Sequence, residues 1–128
     1  MQDNPKKKIL LIEDNIDTQL IYKIYLRNLF DIDVAETAES GINLFRENKY
    51  DLMILDINLP GKSNGISVLN EIRNNFKNHD FPVLVVTAYS MEGDREKFIS
   101  QGADDYLSKP VNKDDFLNKI NSFTTIQN

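Results

Sequence analysis

Five side chains capable of polar chemistry stand where short apolar runs stop. Glu13 and Asp14 follow the run at 9–12, Asp56 follows L-M-I-L at 52–55, Thr87 follows V-L-V-V at 83–86, and Lys109 lies directly before Pro110. Carboxylates gathered in one place repel one another and stay ionised only beside a cation. An all-oxygen set without sulfur or histidine selects a hard divalent ion, and a few carboxylates completed by water suit magnesium. A hydroxyl and an ammonium facing such a centre supply the rest of what a phosphoryl group needs, a hydrogen-bond donor and a point cation. Taken singly, each residue has a plainer use. An Asp after a strand commonly caps a helix or makes a turn, a Thr at a strand end is ordinary, and Lys is usually solvated. The combination carries the chemistry.

Positioning these groups requires a scaffold that brings strand ends together. Five apolar runs recur, at 8–12, 32–35, 52–55, 82–86 and 103–107, the second and the last being the most polar. Continuous rather than alternating apolar residues suit strands covered on both faces. The stretches between them have helical spacing. Ile16, Leu20 and Ile24 recur over 15–29; Ala38, Ile42 and Phe45 mark a second helix, and Leu69, Ile72 and Phe76 a third. The fourth, at 92–101, has only Phe98 and Ile99 to bury. The fifth, at 113–123, offers Phe116, Ile120 and Phe123, with Asp114 near its start, where a carboxylate favours the exposed amides. Strand and helix alternating five times predict an α/β fold: a doubly wound parallel sheet with helices on both faces. Function then sits beyond the carboxyl ends of the strands. If the first and third strands are neighbours, Glu13, Asp14 and Asp56 converge.

Composition narrows the classes. The 128 residues match one domain, expected to span 1–128 with a core at about 7–123. With 41% hydrophobic and 27% charged residues the chain is globular. Zero cysteines exclude disulfides and thiolate metal sites, and one histidine excludes multi-histidine zinc. No apolar run is long enough to span a membrane, and no signal-peptide pattern opens the chain. A formal net charge of −5 argues against direct nucleic-acid binding. The expectation is a soluble, cytoplasmic, acidic module.

Four stretches in order, I-L-L-I-E-D-N (9–15), L-M-I-L-D-I-N-L-P-G-K-S-N-G (52–65), V-L-V-V-T-A (83–88) and G-A-D-D-Y-L-S-K-P (102–110), closely resemble the receiver domain of two-component response regulators, of the stand-alone chemotaxis type. The resemblance implies a flavodoxin-like strand order 2-1-3-4-5. It also implies Asp56 as phosphoacceptor, Asp14 as direct Mg2+ ligand and Glu13 as its acidic neighbour acting through water. Asn58 would complete the metal site with its backbone carbonyl. Thr87 and Lys109 would contact the phosphoryl oxygens, Tyr106 would be the aromatic that moves with Thr87, and Lys109-Pro110 would be a cis peptide, which proline permits. Glu13 replaces the commoner Asp, a mild departure. The implied partners are a sensor histidine kinase or a histidine phosphotransfer domain upstream and an unidentified protein downstream, with output through the fourth helix, fifth strand and fifth helix. The implied activity is signalling: no reaction beyond the domain's own phosphorylation and dephosphorylation.

Rival readings fit less well. A flavin-binding electron carrier would not place Glu13 and Asp14 where a flavin phosphate must sit. A haloacid-dehalogenase-type phosphatase needs two acids flanking one residue, and Asp56-Ile57-Asn58 does not supply them. A phosphorylation-independent binding module would not need the full set of polar strand ends. Because the sequence ends on its fifth helix, output is expected through protein contact, unless this is a receiver excised from a longer regulator or hybrid kinase. Tyr22, Leu26 and Leu29 form a second apolar stripe on the first helix, read either as partial burial or as a docking face for the phosphodonor. Tyr89 is a candidate shield for the acyl phosphate, Asn58 lies on the attacking water's path, and Lys6 to Lys8 and His79 read as surface residues.

Overall fold

The computed structural model describes residues 6–59, 64–76, 80–88 and 91–124. Tyr89 and His79 lie outside them. The strands are β1 (Lys7–Ile12), β2 (Phe30–Ala35), β3 (Leu52–Leu55), β4 (Val83–Thr87) and β5 (Asp105–Ser108). The helices are α1 (Ile16–Leu26), α2 (Ala38–Glu47), α3 (Gly65–Asn70), α4 (Asp94–Ser100) and α5 (Lys113–Thr124); α3 runs on as a π-helical stretch, Glu71–Asn75. All strand pairs are parallel and the order is β2-β1-β3-β4-β5, as expected.

Side chains alternate across the sheet, yet both faces are buried. Leu10, Ile12, Met53, Leu55, Val83 and Val85 meet Ala38, Leu69, Ile72 and Phe98 from α2 to α4. Ile9, Leu11, Leu52, Ile54, Leu84 and Val86 meet Tyr22 and Leu26 of α1 and Phe116 and Ile120 of α5. Each such aliphatic residue contributes about 1.5–3 kcal/mol by leaving water, so β1, β3 and β4 anchor whatever their ends carry.

Element ends follow local chemistry. Asn15 caps α1 by accepting from Thr18 N at 2.9 Å, and Thr37 and Ser40 form a capping box at α2. α1 stops three residues short of 29, where Asn28 takes φ 70°. α4 starts at 94, not 92, because Gly93 at φ 90° precedes it. Ala103 is not strand: its N–H donates to Phe98 O at 3.0 Å, closing α4 around Gly102 at φ 116°. Pro82, lacking an N–H, only accepts from Met53 N at 3.1 Å, so β4 begins one residue later.

The first helix corrects an expectation. Tyr22 and Leu26 are core residues, whereas Ile16, Leu20 and Ile24 are 55%, 52% and 58% exposed. Both stripes repeat at helical spacing, and only the direction from which the sheet approaches separates them. Of the second stripe only Leu29 is exposed. No helix among the described residues is long and apolar enough to cross a membrane.

Candidate functional site

Because β1 and β3 are neighbours, their ends carry Glu13, Asp14 and Asp56 to one place. The hydrogen-bond ladder runs one residue past each strand. Glu13 N donates to Ala35 O at 2.9 Å and Asp56 N to Ile12 O at 3.0 Å. Carboxylate oxygens of the three acids all lie within 4.8 Å of one another. Glu13 and Asp56 are buried, at 2% and 5% exposure, and Asp14 faces solvent.

Lys109 reaches the same point from beyond β5. Its Nζ donates to Glu13 Oε1 at 2.7 Å and to Asp56 Oδ2 at 3.3 Å. Lys109 N donates to Thr87 O at 2.8 Å, which fixes the chain as it leaves the sheet, and Lys109-Pro110 is cis. The other carboxylate oxygens are held by backbone: Asn15 N donates to Glu13 Oε2 at 3.1 Å, and Asn58 N to Asp56 Oδ1 at 3.0 Å.

Charge does not balance. Among the described residues, three carboxylates face one ammonium, leaving two negative charges. Burial pushes the Glu13 carboxyl above its ordinary range and the Asp56 charge adds to this, against the pull of Lys109. Burial would lower the Lys109 ammonium, but its hydrogen bond to Glu13 and the charges of Asp56 and Glu13 hold it above the usual range. Burial, Glu13 and Asp56 likewise push up the Tyr22 phenol, stacked on Phe116 at 4.6 Å. Burial is the larger cause for Glu13 and Tyr22, and neighbouring carboxylate charge adds to all three shifts; an all-oxygen, net-negative donor set fits a hard divalent cation.

Thr87, wholly buried, ends β4. Val85 pairs with Tyr106, so Thr87 and Tyr106 share one face of the sheet. Tyr106 stacks on Phe98 of α4 with ring centroids 5.6 Å apart. Asn58 is exposed in the turn after Asp56.

Two contributors escape reading from the sequence alone. A Cβ on Gly65 would stand 2.6 Å from the Asp56 carbonyl oxygen and 2.6 Å from Ile57 Cα, so only glycine lets α3 pass so close behind Asp56. Gln19 is buried beneath the Glu13 turn. Its spacing with Tyr22 and Leu26 was the available signal, visible only once that stripe is known to face inward.

Comparison with known proteins agrees with this fold. Residues 9–121 match the response regulator receiver domain family. The chain is 36% identical over 114 residues to hybrid signal transduction histidine kinase I of Dictyostelium discoideum, covering 83% of this chain but 6% of that protein. It is 32% identical over 122 residues to the polar-differentiation response regulator DivK of Brucella anthropi, covering 91% of this chain and 95% of that one. The chain thus spans a small part of some relatives and nearly all of others. Among solved structures, the receiver domain of sensor histidine kinase PA1611 from Pseudomonas aeruginosa PAO1 superposes with a TM-score of 0.82 at 28% identity, covering 92% of this chain and 97% of that domain. That domain is described with a magnesium ion coordinated in its active-site cleft. With this sheet order, these strand ends and these relatives, the chain belongs to the response regulator receiver domain family of two-component signalling.

Proposed function

We propose that the chain accepts a phosphoryl group on Asp56 from a histidine phosphodonor, in a Mg2+-dependent reaction, and that the face formed by α4, β5 and α5 reports the change to a downstream protein. The observation that carries this reading is the meeting of three carboxylates within 4.8 Å, with Lys109 Nζ bridging Glu13 and Asp56. Glu13, Asp14, Asp56 and the backbone carbonyl of Asn58 would hold the ion. Bound there, it would neutralise charge on the carboxylate and phosphoryl oxygens.

The chain's own residues do the rest. A carboxylate oxygen of Asp56 bonds to phosphorus as the bond from phosphorus to the donor imidazole nitrogen breaks, and the imidazole leaves with that electron pair. Lys109, already against Asp56, pairs with the incoming phosphoryl oxygens, and the Thr87 hydroxyl donates to them. Moving Thr87 toward the phosphoryl group vacates space on the sheet face it shares with Tyr106, and Tyr106 follows. Phe98, stacked on Tyr106, is the buried residue of α4. A seven-residue helix anchored by one aromatic ring has low local stability. Phosphorylation therefore biases an equilibrium of α4 that exists beforehand.

Receiver domains interact with histidine kinases or phosphotransfer proteins. Here the exposed face of α1, with Ile16, Leu20 and Ile24, is the docking surface for the donor. A groove of about 450 Å3, lined by Ile21, Tyr22, Tyr25, Pro110 and Val111, continues from that helix to Lys109. The same chemistry serves a stand-alone regulator or a receiver within a longer regulator or hybrid kinase, and the range of relatives supports both contexts.

Intact mass after incubation with Mg2+ and acetyl phosphate tests the reading. A labile phosphoryl adduct is expected on the wild type and not without Mg2+ or in Asp56→Asn. Absence of any adduct, with beryllium fluoride also failing to bind, would overturn it.

A further inference from the structure

We infer that Gln19 is the positioning residue of the acidic turn, holding the Glu13–Asp14 peptide so that both carboxylates stand ready for a divalent cation; this rests on the Mg2+-dependent reading above. Gln19 is 6% exposed, and its amide nitrogen uses both donors: Nε2 lies 2.7 Å from Glu13 O and 3.3 Å from Glu36 Oε2. Gln19 N donates to Asn15 O at 3.0 Å, in the first turn of α1. Side chains there lean back toward the helix N-terminus, which aims this one at the turn.

The Glu13 carbonyl matters because a peptide is planar. Fixing that oxygen fixes the orientation of Asp14 N, leaving Asp14 only its own dihedrals. The Asp14 carboxylate is exposed, and no hydrogen bond holds it among the described residues. Its placement therefore depends on its backbone, which Gln19 grips at the Glu13 carbonyl before Asp14, while Glu13 Oε2 accepts from Asn15 N after it. A neutral amide also suits the task. A cation in its place would compete with the metal, and a carboxylate could not donate to the carbonyl. Groups that orient metal ligands from behind typically matter 10- to 100-fold in affinity.

The experiment is a calorimetric titration of the full chain with Mg2+ alone, beside urea unfolding. Gln19→Met and Gln19→Leu keep the bulk and remove the donors, and Leu26→Ala weakens the same face of α1 away from the turn. Expected is Mg2+ binding about 10-fold weaker in both Gln19 variants, with Leu26→Ala within about twofold of wild type despite its lower stability. A purely structural role would lower stability in all three and leave Mg2+ affinity unchanged, and that result overturns the inference while sparing the metal reading. Failure of the wild type itself to bind Mg2+ would instead overturn the reading beneath it. If the apolar variants do not fold, Gln19→Asn withdraws the amide by one methylene while keeping it polar. It too must bind Mg2+ more weakly, and wild-type affinity there counts against the inference.

Discussion

Replacing the proposed phosphoacceptor should make the metal-free protein more stable. In Asp56→Asn a carboxylate that is 5% exposed becomes a neutral amide of the same shape. Its repulsion from Glu13, with oxygens no more than 4.8 Å apart, amounts to at least about 3.5 kcal/mol at an effective dielectric of 20. Asp14 faces solvent and adds under about 1 kcal/mol. Attraction to Lys109 at 3.3 Å returns about 5 kcal/mol on the same scale. These roughly cancel, which leaves the cost of burying the carboxylate, several kcal/mol. Asparagine keeps an oxygen for the Asn58 N–H, and Lys109 keeps its shorter bond to Glu13. After allowance for the amide that now faces Lys109, the expected gain is about 2 kcal/mol, or about 1 M in the urea midpoint. Urea unfolding followed by circular dichroism, with a chelator present, reads it directly. Mg2+ at a hundred times its dissociation constant should add about 2.7 kcal/mol to the wild type and little to the variant, closing or inverting the gap. An Asp56→Asn protein less stable than wild type without metal would refute the electrostatic reasoning.

Three further outcomes follow from named contacts. Gly65→Ala sets a methyl 2.6 Å from the Asp56 carbonyl oxygen; it should cost about 1–3 kcal/mol in urea unfolding and slow labelling by acetyl phosphate. On β5, burial tends to raise the Asp105 carboxyl, but Lys119 and the Tyr106 N–H, with Arg95 alongside, hold it below the ordinary range. A depressed folded pKa stabilises above the unfolded value near 3.9 and is lost as pH falls through the folded one. The stability difference between wild type and Asp105→Asn should therefore be full at neutral pH and shrink below about pH 4, measured by unfolding across pH. Leu20→Glu on the exposed face of α1 should change stability by less than about 0.5 kcal/mol and leave acetyl phosphate labelling intact. It should slow transfer from a phosphorylated histidine domain by about tenfold or more, as loss of a buried apolar anchor of about 1.4 kcal/mol or more implies.

Much of the architecture was legible along the chain. The run at 52–55 is β3 residue for residue; Glu13, Asp14, Asp56 and Lys109 follow the strands that carry them, and Thr87 is the last residue of its own. Strand identity depends on neighbours within a few positions, and residues at strand ends inherit their placement from it. Boundaries moved at residues 28, 93 and 103 through positive φ values and helix-closing bonds that hydrophobic patterning does not encode.

Tertiary structure decided what depends on direction and distance. Lys109 and Glu13 are 96 positions apart and meet at 2.7 Å only because the sheet is ordered β2-β1-β3-β4-β5. The first helix carries two apolar stripes of equal helical merit, and packing on β1 and α5 buried the one with Tyr22 and Leu26. The same choice turned Gln19 inward and left Ile16, Leu20 and Ile24 in solvent. Residue type and spacing name the groups able to bind a metal or a phosphoryl oxygen. Which of them touch, and which face stays open to a partner, is settled by how layers stack, because burial is a property of the neighbours a side chain meets rather than of the side chain itself.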